Sequence, residues 1–341
     1  MINSILITGG EGYIGSILCP MLSNLGYRVS SIDTNYFGEE FINSSSLNRS
    51  INYIHKDIRL INIEDLCGVD CVIHLAALSN DPMGELDPYL TQEINYLNSV
   101  RLAALAKTSK VKRFLFSSSC SVYGSTDFIA NETSTTNPLT SYALSKLRAE
   151  AEISELADET FSPVFLRNAT VYGLATKFRV DLAVNNLTAF AYTKNQVLLK
   201  SDGKSIRPFV YVKDLARVFA YLATIAKKEL IHNETFNIGQ NKENLTIKEV
   251  ANIISRVSDK DVVFDTGFYP DKRNYKVDFS KFKSIFPDFK FNGSIKLAVE
   301  ELWNAFSIND LSEYDINVYT RLNTLKNLLS KGLINSQLYW E

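Results

Sequence analysis

The chain of 341 residues has little of what marks several protein classes, with only four cysteines and a net charge of −2. Four cysteines at this length do not predict a disulfide framework, and the missing basic surplus argues against a nucleic-acid-binding protein. No apolar run approaches the roughly 18 residues of a membrane span. The first residues lack the basic and long apolar regions of a secretory signal. We therefore expect a cytoplasmic protein with neither a nucleic-acid nor a membrane partner.

One group of residues could suggest a metal site. Cys67, Cys71 and His74 lie within eight positions of each other, and all three side chains are possible metal ligands. However, the stretch CVIHLAA that begins at Cys71 is typical of a buried strand rather than of a ligand loop. The sequence therefore predicts no metal site.

Short apolar runs alternate with helical spacing through the first half of the chain. Apolar runs without polar interruptions are typical of strands buried on both faces of a parallel sheet, with helices on either side. The sequence thus predicts an α/β fold built on a doubly wound sheet. Strands are predicted at Ser4–Thr8, Arg28–Asp33, Ile51–Asp57, Cys71–Ala76, Arg113–Ser118 and Pro163–Arg167, and helices at Ile14–Leu25, Leu90–Thr108 and Tyr142–Leu156.

A turn with three glycines connects the first predicted strand to the first predicted helix. In ITGGEGYIGS, Gly9 allows a tight turn, Gly12 lets the main chain approach a diphosphate at the helix N-terminus, and Gly15 lets the helix pack closely. No Gly-Lys-Ser/Thr follows, so the turn is not a P-loop. Because a strand precedes the turn and a helix follows it, the spacing predicts a Rossmann-type dinucleotide site.

Two acidic residues extend this prediction. Asp33 ends the second predicted strand, 18 residues beyond Gly15. A carboxylate there accepts hydrogen bonds from ribose hydroxyls and repels a 2′-phosphate, which favours NAD over NADP. Asp57 and Ile58 follow the third predicted strand, where an adenine could be held, although these two residues alone are weak support.

A serine, a tyrosine and a lysine lie at positions that suit the catalytic residues of a dinucleotide-dependent enzyme. Tyr142 and Lys146 are four residues apart in a predicted helix and share one face. Ser119 follows a predicted strand end. A phenol needs its pKa lowered by about three units to act as a base at neutral pH, and we expect the Lys146 ammonium and a cationic nicotinamide ring to lower it. One Tyr-x-x-x-Lys is expected by chance among 17 tyrosines, so only the context makes this pattern informative.

Six motifs are similar, in their usual order, to those of the extended short-chain dehydrogenase/reductases that act on nucleotide-sugars: ITGGEGYIGS, HLAA, FSSSCSVYG, SYALSK, LRNATVYG and RPFVYVKD. The resemblance extends over about residues 3 to 300. It implies NAD as the cofactor and a nucleotide-diphosphate sugar as the substrate. It also implies a Rossmann domain at 1–173, to which 205–240 return, and a smaller C-terminal substrate-binding α/β domain at 174–204 and 241–341 that ends in a helical tail.

The resemblance implies roles for individual residues. Ser119, Tyr142 and Lys146 match the catalytic residues of the family. Cofactor contacts are implied for Gly9, Gly12, Tyr13, Ile14, Gly15, Asp33, Asp57, Ile58, Leu75, Ala76, Ala77, Tyr142 and Lys146. Substrate contacts are implied for Asn80, Asp81, Ser119, Asn168, Arg179, Asn186, Arg207 and Arg273, and Phe178 and Asn185 are expected at the same pocket. Arg207 and Arg273 would clamp phosphates as planar bidentate donors; a surface ion pair is the alternative for each.

Similar enzymes share oxidation at C4 of the sugar and differ in the step that follows. The 4,6-dehydratases carry an Asp-Glu pair directly after the catalytic Ser or Thr, whereas this chain has Cys120 and Ser121. Neither side chain is an acid or base suited to neutral pH, so dehydration is disfavoured. The resemblance therefore implies 4-epimerisation, with net C4 oxidation or reduction of a 4-keto-sugar as alternatives.

Asp81 leaves a further question open. It could contact a sugar hydroxyl or act as an additional base at C3 or C5, or it could cap a turn before Pro82. A non-catalytic dinucleotide sensor on the same fold is a different alternative. Such a sensor is disfavoured because Tyr142 and Lys146 are both present. Related enzymes commonly pair through two helices, so we expect a homodimer formed by the helices at about Leu90–Thr108 and Tyr142–Leu156.

Overall fold

The computed structural model describes residues 2–42, 50–265 and 274–341. Most of the polar tract Asn43–Ser50, which the sequence predicts as a surface loop, lies outside the described residues, and so does Arg273. No helix in the described ranges has the length and apolarity that a membrane crossing requires.

The described strands comprise β1 (Ser4–Thr8), β2 (Arg28–Asp33), β3 (Ile51–His55), β4 (Cys71–His74), β5 (Arg113–Ser119), β6 (Ile129–Ala130), β7 (Ser162–Asn168), β8 (Thr170–Tyr172), β9 (Val197–Leu199), β10 (Ile206–Tyr211), β11 (Glu234–Ile238), β12 (Asn244–Thr246), β13 (Val262–Phe264) and β14 (Lys276–Val277). The described helices comprise α1 (Gly15–Asn24), α2 (Asp81–Gly84), α3 (Pro88–Gln92), α4 (Asn98–Thr108), α5 (Ser141–Ser154), α6 (Ala183–Lys194), α7 (Val212–Thr224), α8 (Lys228–Ile231), α9 (Ile247–Ser258), α10 (Ser280–Ile285), α11 (Ile295–Ile308), α12 (Glu313–Val318) and α13 (Arg321–Ser330).

A parallel sheet of seven strands occupies the centre of the molecule, in the order β11-β7-β5-β4-β1-β2-β3. Both faces are covered, because Ile5 and Ile7 of β1 belong to one apolar cluster and Leu6 belongs to the other. The predicted Rossmann-type doubly wound fold is confirmed. The strand order reverses between β1 and β4, and sheets of this kind bind ligands outside the carboxyl ends of the strands at such a point.

The segment predicted as one helix from Leu90 to Thr108 is interrupted. It consists of α3, a π-helical turn at Glu93–Leu97, and α4. The cause is a tertiary contact: the buried Asn95 side chain accepts a hydrogen bond from the Leu78 N–H at 2.8 Å and donates one to the Leu78 carbonyl at 3.1 Å. The spacing of apolar residues cannot predict a hydrogen bond between a helical side chain and a distant loop. The prediction of one uninterrupted helix was therefore wrong at Glu93–Leu97.

The later part of the chain forms smaller units. Strands β12, β10 and β8 form a sheet of three, and α6, α9 and α11 enclose an apolar cluster beside it. The last thirty residues return to the central sheet. Leu325, Ile334 and Leu338 pack in the same apolar cluster as Leu6 of β1. The boundaries between the two predicted domains stay a prediction.

Candidate active site

The glycine turn lies at the reversal of strand order. Gly9 has φ +75°, and a Cβ on it would lie 2.7 Å from the main-chain nitrogen of Ala76, at the end of β4. A Cβ on Gly15 would lie 2.4 Å from the Gly9 carbonyl oxygen. Gly15 therefore makes room for the main chain of the turn itself, rather than for packing of the helix on the sheet as the sequence analysis expected. Gly12 faces a large cavity.

This cavity has a volume of about 630 Å³ and extends from the glycine turn to the end of β5. The structure brings together on its wall every predicted site residue that it describes: Gly9, Gly12, Tyr13, Ile14, Gly15, Asp33, Asp57, Ile58, Leu75, Ala76, Ala77, Asn80, Asp81, Ser119, Tyr142, Lys146, Asn168, Arg179, Asn186 and Arg207. The remaining one, Arg273, lies outside the described residues. Arg207 is only 5 % exposed, so it belongs to the cavity wall and not to the outer surface.

Two further residues expected at the pocket are not on its wall. Phe178 is fully buried and packs against Phe41, with ring centroids 5.0 Å apart. Asn185 is also fully buried, and its amide accepts a hydrogen bond from the Gly173 N–H and donates one to the Arg179 carbonyl. Both expectations were wrong, because these side chains point into the core and support the wall from behind.

Ser119, Tyr142 and Lys146 face one another across the end of β5. Helix α5 begins with an N-cap, since Thr140 Oγ1 accepts a hydrogen bond from the Ala143 N–H at 3.2 Å. The Ser119 hydroxyl lies close enough to the Tyr142 hydroxyl to favour its ionised form. The Lys146 ammonium lies 5.9 Å from the centroid of the Tyr142 ring, one helical turn away.

The net effect of the protein's own groups is to raise the pKa of the phenol. Burial, aided by the Asp81 carboxylate, raises the pKa of Tyr142 to about 12, although Ser119 and Arg179 oppose the rise. Burial lowers the pKa of Lys146 to about 7, against the influence of Glu150. The expected lowering of the Tyr142 pKa by a fixed lysine charge is therefore not found, because burial acts on both groups and weakens that charge.

A buried ion pair fixes helix α5 on the sheet. Glu150 accepts hydrogen bonds from Arg167 Nη2 at 2.7 Å and from Arg167 Nε at 3.1 Å. Ser118 donates to the same carboxylate, and Arg167 also donates to the Tyr123 hydroxyl at 3.1 Å. The pair joins α5 to β5 and β7, and so sets where the helix presents Tyr142.

The other end of the cavity is polar. Asn168 donates to Ser117 Oγ at 3.0 Å and to the Ser118 carbonyl at 3.1 Å, while its buried Oδ1 has no hydrogen-bond partner among the described residues. Arg179 forms a two-pronged ion pair with Asp181 at 2.8 and 3.0 Å. An unsatisfied amide oxygen on the cavity wall suits a polar ligand.

The sequence left open whether Asp81 caps a turn or faces the substrate, and in the structure these two roles belong to two neighbouring residues. Asn80 is the N-cap of α2 and accepts a hydrogen bond from the Met83 N–H at 2.8 Å. Asp81 lies on the cavity wall and accepts a hydrogen bond from Thr140 Oγ1 at 2.6 Å. The turn is thus capped by Asn80, and Asp81 faces the site.

The chain matches the model of the NAD dependent epimerase/dehydratase family over residues 5–239. It belongs to that family. A putative UDP-glucose 4-epimerase of Methanocaldococcus jannaschii is 31 % identical over an alignment of 261 residues, and the match covers 73 % of this chain and 81 % of the relative. A Bacillus cereus UDP-glucuronic acid 4-epimerase, solved with UDP-glucuronic acid and NAD, has a TM-score of 0.75 at 26 % identity, covering 89 % of this chain and 99 % of that one.

A second similar structure is a UDP-N-acetylglucosamine 4-epimerase of Methanobrevibacter ruminantium in complex with UDP-N-acetylmuramic acid. Its TM-score is 0.77 at 26 % identity, over 91 % of this chain and 100 % of that one. As a member of the NAD-dependent epimerase/dehydratase family, this chain is an enzyme that uses NAD.

The residues of this epimerase-family site fit that cofactor. Gly12 borders the cavity at the start of α1, whose first N–H groups receive no side-chain cap, and such a helix end favours a phosphate. The Asp33 carboxylate accepts hydrogen bonds from the main-chain N–H groups of Glu11 and Asn35 at 3.1 and 2.9 Å. Its remaining lone pairs are available to ribose hydroxyls.

Three charged residues on the cavity wall were not predicted from the sequence: Lys56, Asp181 and Arg321. Asp181 follows the predicted Arg179 by two positions, a spacing from which an ion pair could have been suspected. Arg321 comes from the C-terminal tail, beyond the part of the chain that matches the family. No motif in the tail indicates that one of its residues reaches the cofactor cavity.

Proposed function

We propose that this enzyme is a 4-epimerase of a UDP-linked sugar that acts by transient oxidation at C4. The observation that carries the proposal is the single cavity shared by the glycine turn and by Ser119, Tyr142 and Lys146. The similar proteins described above are 4-epimerases of UDP-sugars, at 26 to 31 % identity.

In this proposal Tyr142 is the base. Its phenolate oxygen takes the proton of the 4-hydroxyl as C4 is oxidised and returns it when C4 is reduced on the opposite face of the sugar. Bound NAD supplies the hydride acceptor and donor, and a positively charged ring that lowers the pKa of the phenol. Ser119 donates a hydrogen bond to the same substrate oxygen, and Lys146 adds positive charge when protonated.

The polar end of the cavity would hold the substrate. Arg207 and Asn168 are buried there, and we assign them to the diphosphate because a planar guanidinium donates two hydrogen bonds to phosphate oxygens. Arg179, Asn186 and Asp81 would face the sugar. Arg273 stays a candidate for the diphosphate from the sequence alone.

A 4,6-dehydratase remains disfavoured. Cys120 is fully buried, and its thiol donates to the Arg167 carbonyl at 3.1 Å. Burial raises the pKa of this thiol well above its ordinary value, which leaves it unable to take up a sugar proton. Net oxidation at C4 and reduction of a 4-keto-sugar use the same three residues and are the alternatives that the experiment must separate.

The test is a panel of nucleotide-sugars with product analysis by NMR, using UDP-glucose, UDP-N-acetylglucosamine, UDP-glucuronic acid and a GDP-sugar. We expect a C4 epimer from at least one UDP-sugar, without stoichiometric formation of NADH at 340 nm. A ketosugar with stoichiometric NADH would instead identify a dehydrogenase, and loss of water would identify a dehydratase.

The variant Tyr142→Phe tests the assignment of Tyr142 as the base. Because general-base catalysis contributes about 10² to 10⁴ in rate, we expect a loss of that size in kcat with NAD still bound. Tyr96→Phe is the matched variant, since Tyr96 is not among the residues that line the cavity and its hydroxyl donates to Glu152. Near-normal turnover by Tyr142→Phe would rule out the assignment.

We also propose a cytoplasmic homodimer, paired through the segment of α3 and α4 and through α5. Its support is the resemblance together with apolar side chains left exposed in the first segment, namely Tyr89 at 91 % and Leu97 at 54 %.

A further inference from the structure

The tail of the chain, residues 312–341, packs beside the part of the cavity that contains Asp33. Trp340 Nε1 donates to the Thr34 carbonyl at 2.7 Å, and the Tyr36 hydroxyl donates to the Leu338 carbonyl. The Arg59 guanidinium lies 3.7 Å from the centroid of the Tyr339 ring. Because Thr34 and Tyr36 line the cavity, the tail covers this end of the cofactor site from outside.

Arg321, the first residue of α13, brings a positive charge to the cavity wall. It is only 5 % exposed, and its Cζ lies 4.0 Å from the centroid of the Phe37 ring. One nitrogen donates to the Lys177 carbonyl at 3.2 Å. Within the described parts of the chain, no carboxylate forms an ion pair with Arg321. A buried guanidinium without a carboxylate is costly.

The surroundings of Arg321 add to this cost. The position is the first of a ten-residue helix, where the helix dipole favours negative charge. The N-cap residue Thr320 uses its hydroxyl to donate to the Ile316 carbonyl and leaves the helix end uncapped by its side chain. Burial and the nearby Arg179 lower the pKa of Arg321 to about 9. An anion at this point of the cavity would relieve all three penalties.

We propose that Arg321 is a cofactor-binding residue that donates hydrogen bonds to the diphosphate of NAD, and that the tail thereby holds NAD in the enzyme between turnovers. The inference rests on the placement of NAD at the glycine turn. Arg321 is assigned to this diphosphate, rather than to that of the substrate, because its guanidinium packs on Phe37, which borders the cavity four residues after Asp33. The charges of Arg179 and Asp181 act on Arg321 more strongly than that of Asp33, so the choice between the two diphosphates is tested directly below.

The test compares Arg321→Gln with Lys326→Gln, which removes the same charge from an exposed position on the same helix. NAD binding is measured by calorimetry on protein freed of nucleotide, and retention by the NAD content after purification. We expect the dissociation constant of NAD to rise about tenfold to a hundredfold in Arg321→Gln, and bound NAD to be lost. Lys326→Gln should match the natural protein.

Stability without NAD separates a binding role from a structural one. Because the buried charge has no direct ion pair among the described residues, Arg321→Gln should unfold at the same or a higher temperature than the natural chain when NAD is absent, while the rise in Tm upon adding NAD becomes smaller. A lower Tm without NAD, with unchanged NAD affinity, would show a purely structural arginine. Arg321→Lys keeps the positive charge but loses the planar guanidinium, so it should bind NAD with intermediate affinity. This variant still tests the proposal if the glutamine variant does not fold.

Titration with UDP distinguishes the two possible diphosphates. Unchanged UDP affinity in Arg321→Gln supports the assignment to NAD, whereas weaker UDP binding with unchanged NAD binding overturns it. If the natural protein itself binds no NAD, the proposed cofactor site fails; if both proteins bind NAD equally well, only the role of Arg321 fails.

Discussion

At the scale of one residue, Lys146 combines its proposed role in catalysis with a cost to stability. Its pKa is lowered to about 7 by burial, so folding disfavours its charged form. That cost is fully present below about pH 7 and disappears as the pH rises toward the ordinary lysine value of about 10.4. We expect Lys146→Met to lose turnover but to be a few kcal/mol more stable than the natural protein at pH 6, because one pKa unit corresponds to about 1.4 kcal/mol.

Urea unfolding at pH 6, 8 and 10 measures this effect, and the difference between the two proteins should shrink as the pH rises. Lys326→Met, at an exposed position, should show no such trend. A difference that stays constant across the three pH values would contradict the buried charge as its cause.

The sequence was a good guide to which residues meet and a poor guide to their charge states. Glycine spacing and strand ends place Gly12, Asp33 and Ser119 at one edge of a parallel sheet, since the carboxyl ends of its strands meet there. The pKa of Tyr142 could not be predicted in the same way. It depends on burial and on Asp81, which belongs to α2 and comes near the phenol only in the folded chain.

At the scale of elements, the position of α5 depends on Glu150 and Arg167. Glu150→Gln removes the negative charge and leaves the Arg167 guanidinium buried, so we expect a loss of about 3 kcal/mol in the free energy of unfolding. The kcat should fall as well, because α5 carries Tyr142 and because Glu150 raises the pKa of Lys146. Glu152→Gln, exposed on the same helix, should change stability by less than about 0.5 kcal/mol.

Urea unfolding and the pH dependence of kcat together test this role. Loss of Glu150 should shift the lysine-dependent limb of the pH profile to lower pH, an effect that a purely structural ion pair would not produce. Equal effects of the two substitutions on stability and on the profile would refute it.

Most central strands were predictable because each is a short apolar run between turn residues, as in Ser4–Thr8 and Arg28–Asp33, whose observed bounds agree with the prediction. The interruption at Glu93–Leu97 was not predictable. Its cause is the bond of Asn95 to a loop seventeen residues away, and local spacing carries no information about such a partner.

At the scale of the whole molecule, the sequence predicted the helix in the tail but not where the tail packs. Its leucines at helical spacing predicted helix, and α13 is present. Its docking site depends on main-chain carbonyls such as Thr34 O and on a stacked pair, Arg59 and Tyr339. Neither contact leaves a pattern in the sequence, so a residue such as Arg321 could be placed only by the fold.

The proposed dimer depends on apolar side chains that one copy leaves exposed. If two copies pair through α3, α4 and α5, the exposed Leu97 lies at the contact, and a charge there must be buried without a partner when the dimer forms. Leu97→Glu should therefore yield monomers in light scattering coupled to gel filtration, with unchanged secondary structure by circular dichroism. Ile308→Glu alters a side chain that is 73 % exposed on α11 and should leave the dimer intact. A natural chain that is monomeric at micromolar concentration, or a Leu97→Glu variant that remains dimeric, would exclude this interface.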